Sequence, residues 1–169
     1  MGAMILDDAS ASAQHWRKCV GVCLVNDDGL AWGAQRIGQT GDVWQMPQGG
    51  IDEGEDPETA ARRELYEETG VKAEHVELVA EYPQWLAYEF PEEIKQKNEW
   101  LAKYRGQAQR WFLFRFKGKD ADVDISGLGG EKPEFQKWQW MPMERLEETV
   151  IEWKRGVYTE ALGAFKGKL

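Results

Sequence analysis

Three glutamates, Glu64, Glu67 and Glu68, stand at positions i, i+3 and i+4 of one segment, directly after Arg63. At about 100° per residue a helix would gather them into an arc of roughly 100°, so all three carboxylates would point the same way. Like charges one turn apart destabilise a bare helix, and a cation among them relieves the repulsion. A hard divalent ion suits the set, because Mg²⁺ takes one or two carboxylates together with substrate phosphates. Without a cation the same residues would form a solvated acidic face, the commonest fate of a charge run.

The elements that must carry these groups are marked in the chain. Asp56 is a good N-cap, Pro57 suits the first helical position, and Glu58 is favourable in the positive first turn. Gly70 follows the last periodic residue as the glycine that ends the helix. Ala60, Ala61 and Leu65 give the helix an apolar side to lay on a sheet. Upstream, Gly49-Gly50-Ile51-Asp52-Glu53-Gly54 suits a tight loop whose backbone presses against a ligand.

Loop, cap, acidic triplet and terminal glycine recur together at fixed spacing, and the whole resembles the Nudix box. Gly49, Glu55, Arg63, Glu64, Leu65, Glu67, Glu68, Gly70 and Val71 match it without a departure. Further segments resemble the bacterial RNA pyrophosphohydrolase branch, also described as dinucleoside polyphosphate hydrolases. They are Trp44 to Gly50, Gly106 to Phe112, Pro133-Glu134-Phe135 with Trp138 and Trp140, and Trp153 to Tyr158. The resemblance runs from about Arg17 to Phe165.

It implies a fold, a reaction and roles. The fold is α/β, a mixed sheet sandwiched between helices. Glu64, Glu67 and Glu68 would ligate two or three Mg²⁺ ions (Mn²⁺ or another divalent cation being possible), helped by the Gly49 carbonyl. Arg63 would orient the carboxylates, and Glu134 would join the cluster with substrate, although by sequence alone it reads as a surface carboxylate. Arg17 and Arg36 match arginines near the 5′ phosphates and first bases, and Gln107 a polar contact near the 5′ end. Trp153 and Lys154 match an aromatic-basic pair at the terminal nucleotide, where the family more usually carries Phe. Glu68 or Glu64 would serve as base.

Composition agrees with such an enzyme. The chain has 169 residues, 42% hydrophobic and 30% charged, as expected of one soluble domain. A net charge of −9 disfavours grip along a nucleic-acid backbone, so no DNA duplex is expected as partner. Cys19 and Cys23 read as buried thiols of a cytoplasmic protein, and no apolar run reaches spanning length, so no membrane is expected. Oligomeric state is not legible. Met1-Gly2-Ala3 reads as a cloning remnant and residues 1–16 as flexible, leaving 17–169 as the domain. Strands are expected at 19–25, 30–36, 75–82, 109–116 and 135–141, a charged exposed insertion at 91–103, and a helix at 150–165. Along 109–116, Trp111, Leu113 and Arg115 should face one side and Phe112, Phe114 and Phe116 the other.

Three functions follow: removal of pyrophosphate from 5′-triphosphate or diphosphate RNA ends, hydrolysis of dinucleoside polyphosphates, and nucleotide sensing without turnover. The intact glutamate set argues against the third.

Overall fold

The computed structural model describes residues 2–13 and 15–169. Its strands are β1 (Met4–Leu6), β2 (Trp16–Val25), β3 (Ala31–Arg36), β4 (Gln48–Gly50), β5 (Val76–Glu81), β6 (Trp85–Glu89), β7 (Gly106–Phe116) and β8 (Phe135–Met141). The helices are α1 (Asp8–Ala13), α2 (Pro57–Thr69), α3 (Glu92–Lys97), α4 (Glu99–Ala102), α5 (Met143–Thr149) and α6 (Arg155–Lys166). They form a mixed sheet in the order β1-β6-β7-β2-β3-β8, with β4 added to β2 and β5 to β7. The two long central strands, β2 and β7, run parallel from Trp16 opposite Gly106 to Val25 opposite Arg115.

Each central strand changes partner along its length, and this opens the sheet where the site lies. The outer half of β2 near its start pairs with β4, Cys19 to Gly21 facing Gly50 to Gln48, while its end meets β3 at Val25 and Ala31. In the same way β7 pairs first with β6 and then with β5. The glycine-rich loop is therefore an extension of the sheet rather than a free loop, and its start is fixed to the strand that carries Arg17.

Alternation along β7 sorts the core as expected. Trp111 and Leu113 pack with Cys23, Met46, Leu146, Tyr158 and Leu162 on the α5–α6 face. Phe112, Phe114 and Phe116 pack with Val20, Val22, Trp32 and Leu65 on the α2 face. Both faces of the sheet are covered, which gives the layered arrangement implied above.

Four local expectations need correction. Residues 4–13 are not a flexible lead: β1 pairs with β6, and Met4 and Leu6 pack towards a third cluster of Ala11, Trp16, Trp85, Ala87 and Ala108, while Ile5 points outward. The Asp7 carboxylate accepts from Ser10 N–H at 2.8 Å and holds the start of α1. β6 was not anticipated because Trp85 to Tyr88 are buried on both faces and show no alternation. The C-terminal helix begins at Arg155 rather than at 150, because Val150 and Ile151 are extended and a single 3₁₀ turn, Glu152–Lys154, precedes it. The insertion at 91–103 folds into α3 and α4, which are mostly exposed but lean over the site.

No helix among the described residues is long and apolar enough to cross a membrane. A Cβ on Gly21 would lie 2.4 Å from the Trp111 ring, at the point where β2 holds both β4 and β7. Gly21→Ala should therefore cost about 1–3 kcal/mol of stability through overpacking. Urea unfolding of the two proteins measures it, and an unchanged midpoint would show that the ring can move aside.

Candidate active site

Helix α2 presents the acidic triplet because its ends are held and its other side is buried. The Asp56 carboxylate accepts from Thr59 N–H, Pro57 opens the helix, and Gly70, with φ of 73°, donates its N–H to the Tyr66 carbonyl. Ala60, Ala61 and Leu65 lie buried against the sheet. With that face fixed, Glu64, Glu67 and Glu68 must turn toward β4, and all three line one cavity of about 410 Å³.

Arg63 organises the region. Its Nε and Nη2 donate to the two Glu55 carboxylate oxygens, each at 2.9 Å, and Nη2 also donates to the Gly50 carbonyl at 2.8 Å. Nη1 donates to Glu64 at 2.9 Å and to Glu67 at 3.2 Å. All five guanidinium N–H groups are spent, and these bonds push its pKa upward. Glu55 takes a further bond from Asp52 N–H at 3.0 Å, and the Arg63 bonds hold its carboxyl below the usual range. One residue thus ties the loop 49–55 to two of the three acidic side chains.

The carboxylates are costly to charge where they stand. Burial pushes Glu64 up to about 7, with Arg63 opposing and Glu67 and Glu131 adding to the rise. Burial, then the charges of Glu64 and Glu134, raises Glu68 well above the normal carboxylate range, although its carboxylate accepts from Gln48 N–H at 3.1 Å. Glu67 is also raised by burial. Among the described residues no three acidic, histidine or cysteine side chains converge closely enough to enclose an ion on their own. An open site fits better: a hard cation that keeps waters and takes phosphate oxygens needs only part of its shell from protein. A cation there would also restore the charged forms that burial opposes. Gly49 is built for the same close approach, since a Cβ there would sit 2.0 Å from the Glu64 carboxyl carbon.

Most of the remaining expected residues surround this cavity. Arg17, Arg36, Gln107 and Glu134 line it. Arg17 lies against Gly50, with Trp100 stacked on its guanidinium at 4.9 Å and Nη1 donating to Cys19 Sγ at 3.3 Å. Arg36 pairs with Glu134 at 3.2 Å, and Glu134, an exposed carboxylate as its sequence suggests, also lines the cavity. Trp153 and Lys154 do not reach it. They line a second, more apolar cavity of about 460 Å³ that shares Arg36, Gln48, Asn98, Leu101 and Gln107 with the first. Trp153 also packs on the core, and burial lowers the Lys154 amine to about 8.

Several lining residues were not found from the sequence. Gln48, Asn98, Trp100, Glu131 and Lys132 belong to the wall. Gln48 could have been found, since it shares a strand face with Gly50, against which Arg17 lies. Asn98 and Trp100 come from the insertion, and no periodicity in it points inward. Glu131 is brought by the turn in which Leu128 N–H donates to the Glu67 carbonyl at 3.2 Å.

The profile of the NUDIX domain matches residues 15–161. RNA pyrophosphohydrolase of Cereibacter sphaeroides (strain KD131 / KCTC 12085) is 47% identical over 154 residues, 91% of this chain and 93% of that protein. Nudix hydrolase 26, chloroplastic, of Arabidopsis thaliana is 46% identical over 158 residues, 92% of this chain and 72% of that protein. Among solved structures, an Ap4A hydrolase binary complex from C. elegans superposes with a TM-score of 0.64 at 21% identity, covering 90% of this chain and 99% of that one. At that identity the likeness is one of fold.

Gly49→Ala should displace the Glu64 carboxylate by about an ångström and lower turnover by about 10²-fold. The backbone of β4 tolerates alanine, so melting temperature should fall far less than activity. Near-normal turnover would show that the close approach has no catalytic consequence.

Proposed function

The chain belongs to the Nudix family, and from that premise we propose that it hydrolyses pyrophosphate bonds at 5′-triphosphate or diphosphate RNA ends, leaving a 5′-monophosphate. The observation that carries this reading is the joining of two cavities, one walled by carboxylates and the other by an aromatic-basic pair. A phosphate chain fits the first and its nucleoside the second. Relatives named RNA pyrophosphohydrolase at 45–47% identity over about nine-tenths of the chain support the substrate class.

Glu64, Glu67 and Glu68, with the Gly49 carbonyl and Glu134, would hold divalent cations, Mg²⁺ or Mn²⁺. Bound there, the ions supply charge neutralisation on the phosphates and acidify water. Arg63 is a positioning residue, because every one of its donors is engaged with Glu55, Glu64, Glu67 or Gly50. Glu68 suits the role of proton acceptor, since among the described residues Arg63 engages Glu64 and Glu67 but not Glu68, whose carboxylate accepts from Gln48 N–H. Arg17 makes no ion pair among the described residues and is left to meet an anionic phosphate. Trp153 and Lys154 would meet the terminal nucleotide. Acting on RNA ends, the protein would work in the cytoplasm, in mRNA decay.

Phosphate or pyrophosphate release from triphosphorylated RNA, with and without Mg²⁺, tests the reaction. Diadenosine tetraphosphate at matched concentration tests the related reading, and a clear preference for it would displace RNA ends as the substrate. Glu68→Gln should leave melting temperature unchanged and lower turnover by about 10²-fold or more. A near-normal rate at saturating Mg²⁺ removes Glu68 from the mechanism.

Recognition should stop at the 5′ end. Each backbone phosphate neutralised adds about −0.7 to the slope of log affinity against log salt for single strands. At −9 the protein should show a shallow slope and little gain beyond two or three nucleotides. Titrations of 2-, 6- and 20-nucleotide RNAs across a salt series check this, and affinity climbing with length would reveal a basic track.

A further inference from the structure

Three buried or half-buried glutamines meet where the two cavities join, and their hydrogen bonds have a fixed sense. Trp111 Nε1–H donates to Gln109 Oε1 at 3.0 Å. An indole nitrogen can only donate, so Gln109 must turn its carbonyl to Trp111 and its NH₂ the other way. Both protons of that NH₂ are then used: Nε2 donates to Gln48 Oε1 and to Gln107 Oε1, each at 2.9 Å. With their oxygens committed inward, Gln48 and Gln107 can offer only NH₂ groups outward. Both line both cavities, whereas Gln109 lines neither. Trp111 itself cannot rotate away, being 1% exposed and packed edge-on against Tyr158 with ring centroids 5.5 Å apart.

We propose that Gln109, polarised by Trp111, is a positioning residue that holds Gln48 and Gln107 as a pair of amide donors facing the cavity junction. The pair selects an acceptor-rich group at that point, a phosphate oxygen of the chain next to the nucleoside. Such donors suit a wall that mixes carboxylates with Arg17 and Arg36, because neutral amides attract phosphate without forming ion pairs to Glu64 or Glu68. The assignment rests on the phosphate-chain reading of the cavity.

Gln107→Glu separates the two possible senses. It keeps an oxygen for Gln109 and replaces the outward NH₂ by an oxygen. With donors facing out, melting temperature should hold while KM for a 5′-triphosphorylated trinucleotide rises about 10- to 100-fold, the range of a hydrogen bond to a charged group. With carbonyls facing out, the same change would set oxygen against oxygen inside the network, lowering the melting temperature and overturning the proposal. Gln109→Leu touches no ligand, yet should raise KM about 3- to 10-fold, more than it lowers kcat, because Gln48 and Gln107 are freed to turn. A Gln109→Leu protein with parental KM would overturn the proposal. A readout without turnover keeps the test apart from the substrate assignment. In ¹⁵N-labelled protein with Mg²⁺, inorganic pyrophosphate should shift the side-chain NH₂ signals of Gln48 and Gln107 and leave that of Gln109 nearly in place. Absence of any shift at Gln48 and Gln107 while pyrophosphate binds would sink the donor pair, whichever substrate the parent prefers.

Discussion

One guanidinium surrounded by carboxylates is the constraint on which the rest of the site depends. Arg63 has donors in a rigid plane, two of them aimed at Glu55 and the others at Gly50, Glu64 and Glu67. Lysine carries the same charge but not the fork, so it could not hold Glu55 in two places and still reach Gly50, Glu64 and Glu67. The fork also sets which carboxylate stays free. Glu64 and Glu67 are drawn to Arg63, whereas among the described residues Glu68 accepts only from Gln48 N–H. Three chemically alike residues at i, i+3 and i+4 thereby acquire different surroundings.

Sequence reading succeeded where local rules and burial agreed. The cap at Asp56, the terminating Gly70 and the alternation through Trp111 to Phe116 all follow from periodicities that the fold respects. It failed where an element has no period to display. β6 is buried on both faces, β1 is three residues long, and the turn at Glu152–Lys154 interrupts an otherwise helical pattern. Glu64, Glu67, Glu68 and Arg63 were legible because one helix carries them. Asn98, Trp100 and Glu131 were not, because they arrive from segments distant in sequence whose direction only the tertiary fold sets.

Trp153 and Lys154 show how far a motif can carry position. Their identity places them near nucleotide-binding groups in the resemblance, yet the structure sets them in the neighbouring cavity, on a turn before α6. The distance is a consequence of packing. Trp153 packs against the core, and its remaining surface lines the apolar cavity beside Lys154 as well as another against Met4 and Phe90. The carboxylates and the aromatic-basic pair are therefore divided between two cavities, with Arg36, Gln48 and Gln107 belonging to both.

That division reconciles an acidic protein with a polyanionic ligand. The whole-molecule charge of −9 repels a long phosphate backbone, and the chain offers no basic stripe in its sequence to offset it. Attraction must come from within the cavity, where short distances and low exposure outweigh the screened field of the surface. Arg17 lies over the Trp100 ring, and the glutamine donors are fixed from the core, so both are in place before a ligand arrives. Preorganised groups at short range reward a ligand that enters end-first and give nothing to one that lies along the outside. The two cavities, about 410 and 460 Å³, are each within the usual size of a small-molecule site, which suits a phosphate chain and one nucleoside rather than a duplex. Selectivity for an end would then be a property of shape and local charge together, and the acidic exterior would add to it by repelling a backbone laid along the outside.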